Sequence, residues 1–227
     1  LEEAKTLFWT MPRREVATWN CMITSYMQHD QCEAALQLFH HMQAIGTFPN
    51  NVTFANILSV CVNMMSLSEG RRLHSRLTSA SSCLDVVLGT ALVNMYGKCG
   101  SVEVAWNLFK QLKKRDVFSW SSIIAAYAQI GRGKDALNVF KQMKQEGIKP
   151  NEYTIVSMLK ACSSLSAMRE GIQIHMNFIE CGFYLDTYVG NALIDMYAKC
   201  GSLQNAYRIF NQLASRDVVT WSSLIAG

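Results

Sequence analysis

The segment MYGKCGS at residues 95–101 decides the fold, because it returns as MYAKCGS at residues 196–202, an interval of 101 residues. The same interval separates Trp19, Trp120 and Trp221. Many landmarks that share one offset, with no gap between copies, indicate internal repeats. The chain is therefore predicted to consist of repeating structural units.

The 101-residue unit divides further when it is aligned on a tyrosine or cysteine at position 11 of each subunit. The resulting subunits have 35, 35 and 31 residues. Their predicted boundaries are 16–50, 51–85, 86–116, 117–151, 152–186 and 187–217. Residues 1–15 would end a truncated 31-residue subunit, and residues 218–227 would begin another 35-residue subunit.

Each subunit has the apolar spacing of two helices. In residues 16–50, Trp19, Ile23 and Met27 recur at helical intervals, and after a polar break Phe39 and Met42 do so again. A glycine at position 46 predicts a helix end, and the proline at position 49 prevents continuation. Two short helices cannot bury an apolar face alone, so we expect the subunits to stack. The predicted fold class is all-α, an α-solenoid of helix-turn-helix repeats wound into a right-handed superhelix.

The composition is that of a globular protein. Of 227 residues, 50% are hydrophobic and 17% are charged, and the net charge of +4 is compatible with a polyanionic partner without requiring one. No apolar run approaches the ~20 residues that span a bilayer, so no membrane contact is predicted. Because the sequence begins and stops inside apparent repeats, it is expected to be a fragment, and a targeting segment would lie outside it.

The cysteines and histidines do not form a recognisable metal or catalytic motif. None of the eight cysteines forms a CxxC pair, which predicts free thiols in a reducing compartment. HxE, PCxxC, nucleophile elbows and phosphate-binding glycine loops do not occur in the sequence. We therefore expect no catalytic residue, metal or cofactor in this chain.

Several segments together resemble a known repeat. VATWN at 16–20 and ALQLF at 35–39, followed by a Pro-Asn pair at 49–50, resemble the pentatricopeptide repeat. The alternation of 35, 35 and 31 residues resembles the plant P, L and S subclasses, with TFANIL at 53–58 in an L unit and MYxKCGS in the S units. The fixed period of about 34 residues in tetratricopeptide repeats does not fit. The resemblance covers essentially the whole chain.

The resemblance implies binding of single-stranded RNA, one base per repeat, with the RNA running 5′ to 3′ along the chain. In that family the fifth and the last residues of a repeat read the base. The pairs here are Asn20 with Asn50, Thr90 with Asp116, Ser121 with Asn151, and Asn191 with Asp217. The L units have Ala55 and Val156 at position five, which cannot hydrogen-bond to a base, so these units are interpreted as spacers.

The residue types at the last position have a physical rationale. An ionised Asp only accepts hydrogen bonds and so favours the imino N–H of U or G, whereas an Asn can donate to the ring nitrogen of C or A. The family rule adds that Asn at position five favours a pyrimidine and that Ser or Thr favours a purine. The predicted reading is 5′-C-n-G-A-n-U-3′, with U as the alternative at the first base.

The resemblance also assigns residues that hold the RNA without reading it. Position two is expected to sandwich bases, through Val52, Val87, Phe118, Tyr153 and Tyr188, with Ala17 and Val219 at the same position. The alternative is that some of these side chains seal the junction between repeats. Lys98 and Lys199 occupy position 13 of the S units, where the family's lysine contacts phosphate; the alternative is a solvated surface lysine.

The predicted function is site recognition in an organelle RNA-editing or RNA-processing factor, located in a mitochondrion or chloroplast. A deaminase domain could follow in a longer protein. Expected partners are single-stranded RNA and other editing or processing proteins, and the chain is expected to be a monomer. The alternative is a helical scaffold that binds protein without RNA specificity.

Overall fold

The computed structural model describes residues 1–80 and 85–225, and within these ranges the chain forms fourteen α-helices and no strand. The predicted all-α fold is confirmed. Cys83, one of the eight predicted free thiols, lies outside the described residues. The other seven cysteines are free.

The chain forms two compact units that divide between Lys114 and Arg115. The helices of the first unit are α1 (Glu2–Thr10), α2 (Val16–Gln28), α3 (Cys32–Ala44), α4 (Asn51–Asn63), α5 (Leu67–Ala80), α6 (Val86–Lys98) and α7 (Val102–Gln111). The helices of the second unit are α8 (Val117–Gln129), α9 (Gly133–Gln145), α10 (Glu152–Leu165), α11 (Met168–Glu180), α12 (Thr187–Lys199), α13 (Leu203–Gln212) and α14 (Val218–Ile225). Each of the six complete predicted subunits spans one pair of helices, and each of the two truncated ones contains a single helix.

Within each unit, first helices pack on first helices. In the first unit α2, α4 and α6 form a row, and each also packs on the second helix of its own hairpin. In the second unit α8, α10, α12 and α14 form such a row, with α9, α11 and α13 packed against it. This stacking of helical hairpins is the arrangement of an α-solenoid, in which each hairpin buries its apolar face on its neighbours.

The core consists of the aromatic and aliphatic side chains that the helical spacing selected. Trp19 and Trp120 are fully buried, as are Ile23, Phe39 and Met42. The third tryptophan of the series differs: Trp221 in α14 is 53% exposed. Within the described residues, α14 has no second helix of its own hairpin to cover it, and the Trp221 ring lies against Phe210, with 4.7 Å between the ring centroids.

The predicted cap at Gly46 is confirmed. Gly46 has φ of +79°, which L residues with a side chain adopt only at a cost. Its amide donates to the carbonyl of Gln43, and the Thr47 amide donates to that of Met42. These bonds satisfy carbonyls that the helix end leaves unpaired, and they turn the chain toward the next repeat.

A histidine and a tyrosine join each predicted L repeat to the predicted S repeat that follows it. The Nδ1 atom of His74 lies 3.0 Å from the Tyr96 hydroxyl, and that of His175 lies 2.8 Å from the Tyr197 hydroxyl. Burial lowers the pKa of both histidines and raises the pKa of both tyrosines, because the charged form of each group is disfavoured away from water. The contacts therefore join neutral rings.

This pairing predicts that stability depends on pH. Unfolded histidines bind a proton near their usual pKa of 6.5, whereas folded His74 and His175 resist protonation. The free energy of unfolding should therefore decrease as the pH falls through about 6.5. Urea unfolding between about pH 7.5 and 5.5 would measure this loss. The double variant His74→Gln and His175→Gln should lose most of the dependence; equal pH profiles for variant and unmodified chain would contradict the assignment.

Candidate nucleic-acid interface

The last residue of each predicted repeat is the N-cap of the next repeat's first helix. Its side-chain oxygen accepts a hydrogen bond from the backbone amide three residues later, at 2.7–3.0 Å in all six repeats. The capping residues are Asn50, Asp85, Asp116, Asn151, Asp186 and Asp217. Capping by itself thus accounts for an Asn or Asp at these positions.

The sequence contained a signal for these caps that the repeat alignment did not use. A hydroxyl residue stands three positions after four of them, and in each case it accepts a hydrogen bond from the cap's backbone amide. Those residues are Thr53, Ser119, Thr154 and Thr220. This reciprocal pattern is the capping box. The first helices of the two predicted S repeats, α6 and α12, have Leu88 and Val189 at that position instead, and each has a single cap bond.

Three of the predicted base-reading pairs meet in the structure. The Nδ2 group of Asn20 donates to Oδ1 of Asn50 at 3.3 Å, and that of Asn191 donates to Oδ1 of Asp217 at 3.2 Å. The Ser121 hydroxyl lies 3.2 Å from Oδ1 of Asn151. The fifth residue therefore holds the side chain of the last residue in place.

The fourth pair is divided between the two units. Thr90 is half-buried in α6 of the first unit, and its Oγ1 atom is buried with no hydrogen-bond partner among the described residues. Asp116 caps α8 in the second unit. Ala55 is half-buried and Val156 is buried, as apolar residues at position five of the L repeats.

In Asn50, Asn151 and Asp217 the cap bonds use one atom of the side chain, whereas both oxygens of Asp85 accept hydrogen bonds, from the Leu88 amide and from Nδ2 of Asn51. In Asn151, Oδ1 accepts from the Thr154 amide and hydroxyl, and Asn50 uses its Oδ1 in the same way. Oδ1 of Asp217 accepts from Thr220. Among the described residues, neither Nδ2 of the two asparagines nor Oδ2 of Asp217 has a hydrogen-bond partner. Hydrogen bonds from Thr220 also lower the pKa of Asp217, so its outer oxygen is anionic at neutral pH.

Position two forms a series of exposed apolar side chains, one in the first turn of each first helix. Phe118 is 64% exposed and Val87 is 62% exposed, and Val52, Tyr188 and Val219 are also exposed. Ala17 is exposed and Tyr153 is half-buried. Their exposure leaves these side chains available to a flat apolar ligand.

In the sixth repeat these elements surround one cavity of about 480 Å³, here called the slot. Tyr188 and Val219 line it from position two of two successive repeats, and Asn191 and Asp217 line it as the predicted reading pair. Val156 and Lys160 contribute from α10 of the preceding L repeat, and Asp195 contributes from α12. The lining of the slot therefore combines apolar side chains with hydrogen-bonding groups.

The two lysines at position 13 have different surroundings. The ammonium of Lys199 forms an ion pair with Oδ1 of Asp195 at 2.8 Å, and the other oxygen of Asp195 accepts from the Ser163 hydroxyl at 2.7 Å. Lys98 is half-buried at the end of α6, with the uncharged Asn94 four residues before it.

The thiols and the imidazoles are dispersed. Among the described residues no three His, Cys, Asp or Glu side chains are grouped so that they could hold a metal ion. Burial raises the pKa of Cys61 and of Cys162 to about 12, so these thiols are protonated at neutral pH. In residues 1–80 and 85–225, none of the helices has both the length and the apolar character needed to cross a bilayer.

Two repeat families match the chain, and together they cover more than half of it. The PPR repeat family matches residues 14–63 and 115–164, and the PPR repeat matches residues 90–117 and 191–218. Both matches recur at the 101-residue interval.

Curated relatives from Arabidopsis thaliana align along the full chain. It is 38% identical to pentatricopeptide repeat-containing protein At2g33680 over 100% of the chain and 31% of that protein. It is 35% identical to the mitochondrial At3g24000 over 99% of the chain and 36% of that protein, and 30% identical to the chloroplastic At1g15510 over 26% of that protein. The chain thus spans about a third of the length of these relatives.

Solved structures share the fold. The pentatricopeptide repeat protein PPR10, in complex with an 18-nt psaJ RNA element, matches 99% of the chain and 38% of its own length, with a TM-score of 0.62 and 18% identity. The PPR domain of Arabidopsis thaliana protein-only RNase P 1, in complex with tRNA, matches 74% of the chain and 93% of that domain, with a TM-score of 0.59 and 13% identity.

The caps predict a difference between two substitutions at one position. Asn151→Ala removes the acceptor for the Thr154 amide and should lower the free energy of unfolding by about 1 kcal/mol. Asn151→Asp keeps an acceptor and should have little effect. Urea unfolding of the two variants measures the difference, and equal losses would show that the amide at this position is needed for something other than capping.

Proposed function

Because this chain belongs to the pentatricopeptide repeat family, we propose that it binds single-stranded RNA and reads one base with each P and S repeat. The observation that carries the proposal is the contact between a polar fifth residue and the last side chain, which caps a helix with one atom and keeps its other polar atom without a partner among the described residues. The RNA and the tRNA bound by the two related structures support the same class of ligand.

The cap determines which atom the base would meet. Since Oδ1 of Asn50 and of Asn151 must accept from a backbone amide, each Asn presents its Nδ2 donor. A donor matches the unprotonated ring nitrogen of C or A. Asp217 caps with Oδ1 and presents an anionic oxygen, which matches the imino N–H of U or G. Capping thus turns an amide that could face either way into a defined donor.

The fifth residue would act on the base in two ways. It would orient the last side chain, and it would contact the base itself. Asn20 and Asn191 each donate to the last side chain, and each has an Oδ1 atom that is buried without a partner among the described residues. A buried acceptor without a hydrogen bond costs about 1–3 kcal/mol. Because both atoms are buried, the amides would have to turn outward on binding; a donor from the nucleotide, or a bridging water, would then satisfy them and would add selectivity at the Watson–Crick edge.

The slot is the cavity in which we propose that a base binds. A base that entered between Tyr188 and Val219 would cover two exposed apolar side chains while its edge faced Asn191 and Asp217. Stacking and apolar contact are indifferent to base identity, so they would supply affinity. Selectivity would come from the hydrogen bonds. The proposed reading of the chain remains 5′-C-n-G-A-n-U-3′.

We assign this chain to site recognition in an organelle RNA-editing or RNA-processing factor of the P, L and S type. The repeat lengths of 35, 35 and 31 support the subclass, and relatives named as mitochondrial and chloroplastic support the compartment. No chemical step is assigned to the chain itself. The chain spans about a third of the length of these relatives.

The rival function is a scaffold that binds a peptide. Asn or Asp at the last position does not argue against it, because Asp85 and Asp186, which end L repeats whose fifth residue is apolar, cap helices as well. The argument for RNA instead rests on position five. Polar side chains stand there in the P and S repeats, and in three of them they contact the last residue.

Asp217→Asn tests the reading separately from the cap. Asn caps as well as Asp does, so the free energy of unfolding should change little. The presented acceptor becomes a donor, and the preferred last coded base should change from U to C by about 1–3 kcal/mol. Competition among four RNAs that differ only at that base measures the change.

The matched control is Asp186→Asn, which makes the same exchange at the cap that ends an L repeat. It should leave every base preference unchanged. If Asp217→Asn weakens all four RNAs equally, or if Asp186→Asn alters a preference, the proposed reading is wrong.

Asn191→Thr tests the fifth position. It leaves Asp217 in place and copies the sequence pair Thr90 with Asp116, so the preference should move from U to G by about 1–3 kcal/mol. Asn211→Thr makes the same exchange on the exposed surface of α13 and should have no effect on the preference. A uniform loss of affinity in Asn191→Thr would mean that Asn191 only supports the fold.

A further inference from the structure

The slot is lined by charges that the reading pair does not explain. Asp195 lies on α12 one turn beyond Asn191, and Lys160 lies on α10 one turn beyond Val156. Residues four apart share a helix face, and α10 packs against α12. The Ser163 hydroxyl, also on α10, donates to Asp195, which places this end of the two helices in direct contact.

The lysine expected to contact phosphate is already neutralised. Lys199 forms an ion pair with one oxygen of Asp195 at 2.8 Å, and the other oxygen is held by Ser163. A phosphate approaching Lys199 would meet the field of a lysine and a carboxylate together, whose net charge is zero. The attraction between this pair and RNA is correspondingly weak.

Lys160 differs from Lys199 both in its position and in its ion pairing. It is exposed, it lines the slot, and none of the ion pairs among the described residues involves it. The carboxylates that line the slot beside it are Asp195, whose oxygens are both occupied, and Asp217, whose Oδ1 is occupied by the cap. Lys160 is thus the cation in the lining of the slot that no carboxylate of the described residues holds in an ion pair, and the anionic outer oxygen of Asp217 faces the same cavity.

The earlier copy of the repeat shows that this arrangement is not required for folding. At the positions 101 residues before Lys160 and Asp195, the chain has Ser59 and Asn94. Lys98, the counterpart of Lys199, therefore has no carboxylate four residues before it. In the second copy of the 101-residue unit, Lys160 occurs together with Asp195, the carboxylate that neutralises Lys199.

We propose that Lys160, a residue of the L repeat, contacts the phosphate of the nucleotide held in the slot, in place of Lys199. The inference rests on the proposed RNA-binding function. It gives the L repeat a part in binding although its fifth residue, Val156, cannot read a base.

The experiment compares the salt dependence of RNA binding between charge variants of the whole chain, using single-stranded RNA with the predicted reading. Each phosphate contact to a single strand contributes about 0.7 to the slope of log affinity against log salt. Lys160→Ser copies the natural Ser59 and should lower that slope by about 0.7, which is about a fivefold loss at 0.1 M salt relative to 1 M. The loss should be equal for all four bases in the slot, because every nucleotide has the same phosphate charge.

Two controls isolate the site. The double variant Asp195→Asn with Lys199→Ser removes the ion pair at unchanged net charge, and its slope should equal that of the unmodified chain. Lys141→Ser lowers the net charge by the same amount as Lys160→Ser, but on the exposed surface of α9, and it should leave the slope unchanged.

The other outcomes overturn the proposal. A slope lowered in the double variant would assign the phosphate to Lys199, and an affinity loss confined to U would make Lys160 a base contact. An unchanged slope in Lys160→Ser, with salt-dependent binding intact in the unmodified chain, would refute this inference alone. If the unmodified chain bound single-stranded RNA without salt dependence, or did not bind it, the proposed function would be wrong as well.

Discussion

The hydrogen bond between the last side chain of one repeat and the third amide of the next helix is the contact on which the interface depends. A first helix begins with backbone amides that have no partner within the helix, and a buried or half-buried helix start must find acceptors for them. Asn and Asp supply that acceptor at every repeat boundary from Asn50 to Asp217. The bond fixes where the helix starts, and it also fixes the orientation of the side chain that performs the capping.

The packing of the first helices gives these caps equivalent positions in successive repeats. Within each unit the first helices lie side by side, so their first turns bring position two, position five and the cap to corresponding places in successive repeats. The fifth side chain donates a hydrogen bond to the capping side chain, as Asn20 does to Asn50 and Asn191 does to Asp217. The slot in the second unit is the result of this geometry, because residues of three successive first helices converge on it.

Much of this arrangement could be predicted from the sequence, because repetition multiplies weak local signals. The helix pairs, the turn at Gly46 and the buried tryptophans follow from apolar spacing and one offset. The caps were missed although Thr53 and Thr154 stand three residues after an Asn, a pattern that indicates a capping box. The exposure of Trp221 was also missed, since burial depends on a covering helix and not on the residue's own position in the repeat.

The charges around the slot show where sequence reasoning stops. Asp195 and Lys199 are four residues apart on one helix, so their ion pair could have been inferred from spacing. The position of Lys160 beside them could not, because it depends on how α10 packs against α12. Local rules describe contacts within a helix, whereas the slot is formed between helices.

The double use of the cap has a consequence for how such a chain can diverge. Asn and Asp cap a helix about equally well, and their codons differ by a single nucleotide. Under the proposed reading, one point mutation exchanges a donor for an acceptor at the RNA-facing atom of Asn50 or Asn151, and an acceptor for a donor at that of Asp217, while the helix start is preserved. As the sequence of an RNA target changes, such a protein could therefore change its base preference through substitutions that are neutral for folding. Selection for stability would not prevent those substitutions.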